Sequence, residues 1–340
     1  MPDLSRLSNR PLLDADNDSL LFAGRADELD AIDNATRSGL NTLVLGAPGA
    51  GKSTLVYQVA LRLRRRRQPG IWVDGSLAND VRELIELVRS RLLREPSLTE
   101  EWRASMRATT SPASGDLEGL AELLRSLAPS QAELPFATVR PVVLVDGVAI
   151  PAIIHTLFGR LRDELWRVPL IWVVTGNERD RLTYLSPPAD AFFDVVIQLQ
   201  PLAEQDVAEV LRRRIPDPIY SALIDEISSL GARQPRAAIQ LARSAISSGK
   251  QPADLARERA ALNARLAELP PSARVLLGQL EQFGPSSASD DALLARLQWS
   301  RVRAGQVFRE LEDAGLVASA LEPTEGSGRP RKVYMARTDA

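Results

Sequence analysis

The chain has 340 residues, 44% hydrophobic and 25% charged, with a formal net charge of −2, no cysteine and a single histidine, His155. That length has room for about two or three domains, each with its own core, and the composition is that of an ordinary globular protein. Disulfides and thiolate metal sites are excluded, a histidine-based metal centre or serine–histidine dyad is disfavoured, and a near-neutral total still allows a local basic face.

Residues 1–20 are polar, carry no signal-peptide core and read as an extended segment. With no apolar run long enough to span a bilayer, a cytoplasmic protein with no membrane partner is expected. From about residue 40 to 200, apolar runs alternate with helical patterns: TLVL (42–45), IWVD (71–74), VVLVD (142–146), LIWVV (170–174) and VVIQL (195–199). Strands that are apolar throughout and separated by helices predict a parallel sheet covered on both faces. The connection from Glu95 to Val139 is long, with a helical piece near Leu117 to Leu127 and a Ser/Pro/Gly-rich stretch, TTSPASG (109–115), expected to be mobile. After Pro201 the strands stop. Helical patterns cover 203–214, 218–230 and 235–248, then 253–268 beyond a break at SSGKQP, and Pro270-Pro271 marks a further boundary.

GAPGAGKST, residues 46–54, follows the first strand and opens a helix. Its spacing is that of a P-loop, in which glycines let backbone N–H groups turn inward around an anion at a helix N-terminus. Gly46, Ala47, Pro48, Gly49, Ala50, Gly51, Lys52, Ser53 and Thr54 are therefore candidate nucleotide contacts, with Lys52 at the outer phosphates and Ser53 on Mg²⁺. Asp146, ending the VVLVD strand, is the carboxylate that would complete the Mg²⁺ site. Thr175 and Asn177, at the end of the next strand, are placed to hold a lytic water or a phosphate. Arg236, in the first turn of a helix after Pro235, opposes the macrodipole there. It has either an anionic partner or a solvated position.

Together these residues resemble the AAA+ ATPases, in particular the replication-initiator (origin-recognition) type and the related STAND signal-transduction ATPases. LFAGRADELDAI (21–32) looks like the element that opens both groups and borders the adenine pocket, which implies roles for Phe22, Gly24 and Arg25. The resemblance implies Walker A at Gly46 to Ser53, Walker B at Asp146, sensor 1 at Asn177 and sensor 2 at Arg236 in a helical lid. It also implies a five-stranded parallel α/β sheet with the Walker A strand flanked by the fifth and fourth strands, and ATP or ADP with Mg²⁺ as ligands. Two features depart from the pattern. Gly147 stands where a glutamate usually follows the Walker B aspartate, and SPPADAFFDVV, before the last strand, holds no arginine finger. Arg179 and Arg181 are weak substitutes for that finger, and Asp74, ending the IWVD strand, is a possible replacement base.

Residues 270–340 resemble a winged helix. SASDDALLARLQWSRVRAGQVFRELEDAGLV predicts a short helix capped by Ser289, a turn at Gln298–Trp299 and a second helix capped by Ser300, with Ala304, Val307, Phe308 and Leu311 facing the core. Arg301, Arg303, Gln306 and Arg309 fall on other faces. Arg329, Arg331 and Lys332 lie in the expected wing, EGSGRPRK. Double-stranded DNA is the expected partner through Arg301, Arg303, Gln306, Arg329, Arg331 and Lys332, although STAND winged helices often pack on protein. The run Arg64 to Arg67 reads as a solvated helix end.

The expected organisation is an extended segment (1–20), a nucleotide-binding α/β domain (21–201), a helical lid (202–250), a linker helix (251–269) and a winged helix (270–340). The expected function is an ATP-binding switch in DNA binding or assembly, acting as a homo-oligomer or with a partner protein, with slow or absent hydrolysis. The rival expectation is a STAND-type signalling switch that binds protein and not DNA.

Overall fold

The computed structural model describes residues 3–13, 15–108, 115–128, 140–148, 150–322 and 331–336. The stretch 109–114 and Arg329 of the expected wing tip lie outside them. The chain divides into two compact units, Met1–Ala253 and Asp254–Ala340.

The first unit is built on five parallel strands: β1 (Thr42–Gly46), β2 (Gly70–Asp74), β3 (Val142–Asp146), β4 (Ile171–Asn177) and β5 (Val195–Gln198). Their order in the sheet is β2-β3-β4-β1-β5, so β1 lies between β4 and β5 as expected. The strands are apolar on both sides because both faces are covered. Leu43, Leu45, Val143, Val145, Trp172 and Val174 belong to one core. The alternating residues Val44, Val142, Leu144, Ile171 and Val173 belong to the other. Helices Ala26–Arg37 and Lys52–Arg65 close the second core through Leu29, Ile32, Leu55, Val56, Val59 and Leu63. The first core is closed by Val81–Arg94, Glu100–Ala108, Leu117–Arg125 and the helical segment 151–167, which carries His155. Three helices follow β5 within the same unit: Glu204–Arg214, Ser221–Ser229 and Pro235–Ser248. The N-terminal segment is not simply extended. It forms a turn of 3₁₀ helix at Leu4–Leu7, which packs on Pro235–Ser248, and a short helix at Asp16–Ser19.

The second unit contains most of helix Pro252–Glu268, then Pro271–Phe283, Asp291–Leu297 and Arg301–Asp313, and an antiparallel pair, β6 (Val317–Glu322) and β7 (Arg331–Ala336). An isolated bridge joins Ser286 to Tyr334 of β7, adding the start of a third strand. This order is compatible with a winged helix. Ala304, Val307, Phe308 and Leu311 are buried, and Ser300 caps its helix by accepting from the Arg303 N–H. The cap of the shorter helix is one residue later than expected. Asp290, not Ser289, accepts from the N–H groups of Ala292 and Leu293, since a carboxylate there reaches two of the free amides of the first turn. Among the described residues no helix is long and apolar enough to cross a membrane.

Candidate functional site

The loop between β1 and helix Lys52–Arg65 depends on its glycines. Gly49 has φ +85° and Gly51 φ +99°, backbone that L side chains rarely adopt. Space adds a second demand at Gly49, where a Cβ would lie 3.2 Å from the Cβ of Arg236 and 3.3 Å from Oε1 of Gln234. The Lys52 ammonium folds back over the loop and donates to the carbonyls of Gly46 (2.7 Å) and Ala47 (3.1 Å). Burial draws the Lys52 ammonium below its ordinary value. Asp146 opposes that shift, Arg236 adds to it and Glu178 opposes it, so these are the charges that surround the lysine.

The strand register brings the other polar ends to the same edge. Asn177 pairs with Gly46, and Asp74 pairs with Asp146. Thr175, fully buried, donates to Oδ1 of Asp146 at 2.7 Å and accepts from the Gly147 N–H at 2.9 Å. This pair of hydrogen bonds fixes both the aspartate and the turn after it, and Gly147 takes φ +73° with open space where a Cβ would be. Asp74 is otherwise engaged: its Oδ1 accepts from the backbone and hydroxyl of Ser76. Asn177 accepts from the Arg179 N–H, and Arg181 donates to Oε1 of Gln198. Glu178 makes no ion pair or side-chain hydrogen bond with the described residues.

A cavity opens beside the loop, lined by residues 48–54 and by Phe22, Ala23, Arg25, Val210, Pro235, Arg236 and Ile239. Gly24 is not part of its wall; a Cβ there would meet Asp206 and Leu202. Arg25 is almost wholly buried and is tied to Glu28 and the carbonyl of Gln200, so only part of it faces the cavity. Two contributors were not visible in the sequence. Residues 8–12 line the cavity, held by the Leu12 N–H donating to Oγ1 of Thr54 and by Gln58 donating to the carbonyl of Leu13. Arg10 binds Asp18 through both guanidinium nitrogens, and this holds the Asp18 carboxyl below its usual range. The second is Arg214, whose guanidinium donates to the carbonyls of Leu21 and Val210 and is brought down to about 10 by burial, against the pull of Asp18. The only sequence signals were the buried leucines at 7 and 12 and the acid at 18 in a segment that otherwise looks polar.

Arg236 stands at the start of helix Pro235–Ser248, on the cavity wall, with its N–H 3.5 Å from the carbonyl of Gly49. Its guanidinium makes no ion pair or hydrogen bond with the described residues.

In the second unit most of the expected DNA-facing cations have acidic or aromatic neighbours. Arg301 pairs with Asp291 at 3.1 Å, Arg331 lies 3.6 Å from Asp290, and Lys332 pairs with Glu312 at 2.8 Å. Arg303 lies over the ring of Trp299 at 4.7 Å. Gln306 is exposed, and so is Val302, at 71%.

With β1 between β4 and β5, the glycine loop opens at the C-terminal edge of the sheet, where the winding reverses and α/β folds bind their ligands. Helix Pro235–Ser248 meets that loop. This is the AAA+ form of the P-loop ATPase fold, and residues 21–148 match the family described as AAA ATPase domain. Among solved structures, the chain is similar to the Aeropyrum pernix ORC1 protein in complex with DNA, at 17% identity, TM-score 0.52, 98% of this chain and 93% of that one. It is similar also to Cdc6p from Pyrobaculum aerophilum, at 15% identity, TM-score 0.53, with the same shares covered. At those identities the likeness establishes the fold. Comparison with curated protein sequences gives no match.

Proposed function

We propose that this protein binds ATP or ADP with Mg²⁺ and uses the nucleotide as a switch for DNA binding or assembly, hydrolysing it slowly. The residues fit the ligand: the positive-φ glycines of the loop let backbone N–H groups turn toward a phosphate, Lys52 supplies a cation, and Ser53 and Asp146 supply the hard oxygen donors Mg²⁺ prefers. Phe22 and the N-terminal strap would border the base, and Asn177 would stand near the outer phosphates. The observation that carries the reading is the approach of Arg236 to Gly49. A guanidinium unpaired among the described residues, at the phosphate loop and on a helix outside the sheet, makes the lid sensitive to which phosphates are present. Helix Pro252–Glu268 then connects the lid to the C-terminal unit.

For that unit we propose a winged helix that binds duplex DNA in the company of a second copy or a partner protein. The support is the exposed Arg301, Arg303 and Gln306 on one helix, together with a similar fold seen on DNA in the Aeropyrum pernix protein. The second reading, a STAND-like module that packs on protein, is favoured by the acids beside Arg301, Arg331 and Lys332 and by exposed Val302. Measuring solution mass with and without ATP–Mg²⁺, and with and without duplex, tests the proposal. The switch predicts a nucleotide-dependent change in mass or in duplex retention. A protein that binds ATP and changes neither is not a switch of this kind.

A further inference from the structure

We propose that Glu178, at the end of β4, supplies the carboxylate that holds the attacking water, the task that the residue after the Walker B aspartate usually performs. The inference rests on the ATP-binding reading above and concerns the slow turnover left to it. Three positions besides Glu178 are relevant, by place in the fold or by family pattern. The usual one is missing: residue 147 is glycine, and its backbone, at φ +73° and held by Thr175, turns in a way a glutamate adopts only under strain. Asp146 has one oxygen committed to Thr175, and the other is needed for Mg²⁺. Asp74 has one oxygen committed to the backbone and hydroxyl of Ser76.

Glu178 differs on each count. It directly follows Asn177, which pairs in register with Gly46, so it emerges at the mouth of the phosphate loop. It is exposed and unpaired among the described residues. A carboxylate one residue past Asn177 lies beside the start of that loop, at the edge of the sheet where the outer phosphate would sit. In the step it serves, the water oxygen bonds to the terminal phosphorus and the bond from that phosphorus to the bridging oxygen breaks. The bridging oxygen leaves on ADP with its electron pair. The water proton passes to the Glu178 carboxylate and then to the released phosphate. Because the transition state is loose, orienting the water is the main contribution such a group makes.

The test uses the full chain and two readouts: single-turnover hydrolysis, and affinity for ADP with tetrafluoroaluminate, a mimic that holds a water in line. Glu178→Gln should bind ATP and ADP within about twofold of the wild type and slow hydrolysis about a hundredfold. It should also lose about tenfold in affinity for the fluoroaluminate complex relative to ADP alone. Three results overturn the proposal: unchanged values in both readouts, wild-type turnover no greater than that of Lys52→Ala, or a rate lost in Asp74→Asn and kept in Glu178→Gln. A wild type that binds no ATP at all brings down the underlying reading as well, and direct titration of ATP separates that failure from the others.

Discussion

In the first unit Lys52 and Arg236 stand at the phosphate loop with no carboxylate of the described residues bonded to either, whereas in the second Arg301, Arg331 and Lys332 each lie within 3.6 Å of an acid. The difference bears on what each surface is ready to receive. A cation whose only partners are backbone carbonyls gains much when an anion arrives, since charge-assisted bonds are about twice as strong as neutral ones. A cation already paired on the surface gains only the difference between two acids, and exposed pairs are weak in either case. The proposed nucleotide site is therefore electrostatically prepared, and the C-terminal surface is largely balanced.

The sharpest test of that contrast is Lys52→Ala. Removing the cation should weaken ATP binding about a hundredfold or more by titration calorimetry, the loss of one or more strong charged contacts. Retained affinity would mean that the phosphates are held elsewhere. Next in size is Arg236→Ala, for which about a tenfold loss is expected with ATP and little with ADP, because the proposed partner is the terminal phosphate. An equal loss with both nucleotides assigns Arg236 a packing role in the lid instead.

Gly147 supplies a second comparison, within the first unit. The glycines at 49 and 51 take positive φ inside the loop, while the glycine at 147 takes it at a strand end where a side chain would be useful. If its absence were a simple deletion, Gly147→Glu would raise hydrolysis. With φ at +73° the substitution should instead cost about 1–2 kcal/mol of stability by chemical denaturation and leave the rate unimproved. A stable, faster variant would show that the turn after Asp146 relaxes without difficulty.

The sheet was legible in the sequence because a strand buried on both faces has to be apolar throughout, and few other elements are. The glycine loop was legible for a similar reason, since its spacing is tied to one backbone path. Arg236 could be placed at a helix start, but the nearness of that helix to Gly49 is a tertiary fact with no local signature. The N-terminal strap was missed because its anchors, Leu7, Leu12 and Asp18, are three residues spread over twelve positions with no period. Thr175 is legible as a polar strand end. Its link from Asp146 to the Gly147 amide depends on the spacing of β3 and β4, which one strand's sequence does not contain. In the C-terminal unit the basic residues were read correctly as exposed, but their acids at 290, 291 and 312 are separated from them by 10 to 41 residues and become neighbours only on folding.

The smallest expected effect lies in those pairs. The double variant Asp291→Asn with Glu312→Gln removes the partners of Arg301 and Lys332 and leaves both cations in place. If the unit binds duplex, the freed cations become available to phosphates. Each new phosphate contact displaces counterions, so the slope of log affinity against log salt should steepen by about 1 to 2, with a few-fold gain at low salt. Removing Arg331 and Lys332 should flatten the slope by a similar amount for every sequence, whereas changing Arg301 or Gln306 should alter preference between sequences. The comparison is informative because the acids cannot themselves contact phosphate, so a gain on neutralising them can come only from released cations or reduced repulsion. Both need a polyanion nearby. A salt slope that stays flat in the wild type and in both variants removes DNA from this surface, and the protein-packing reading then takes its place.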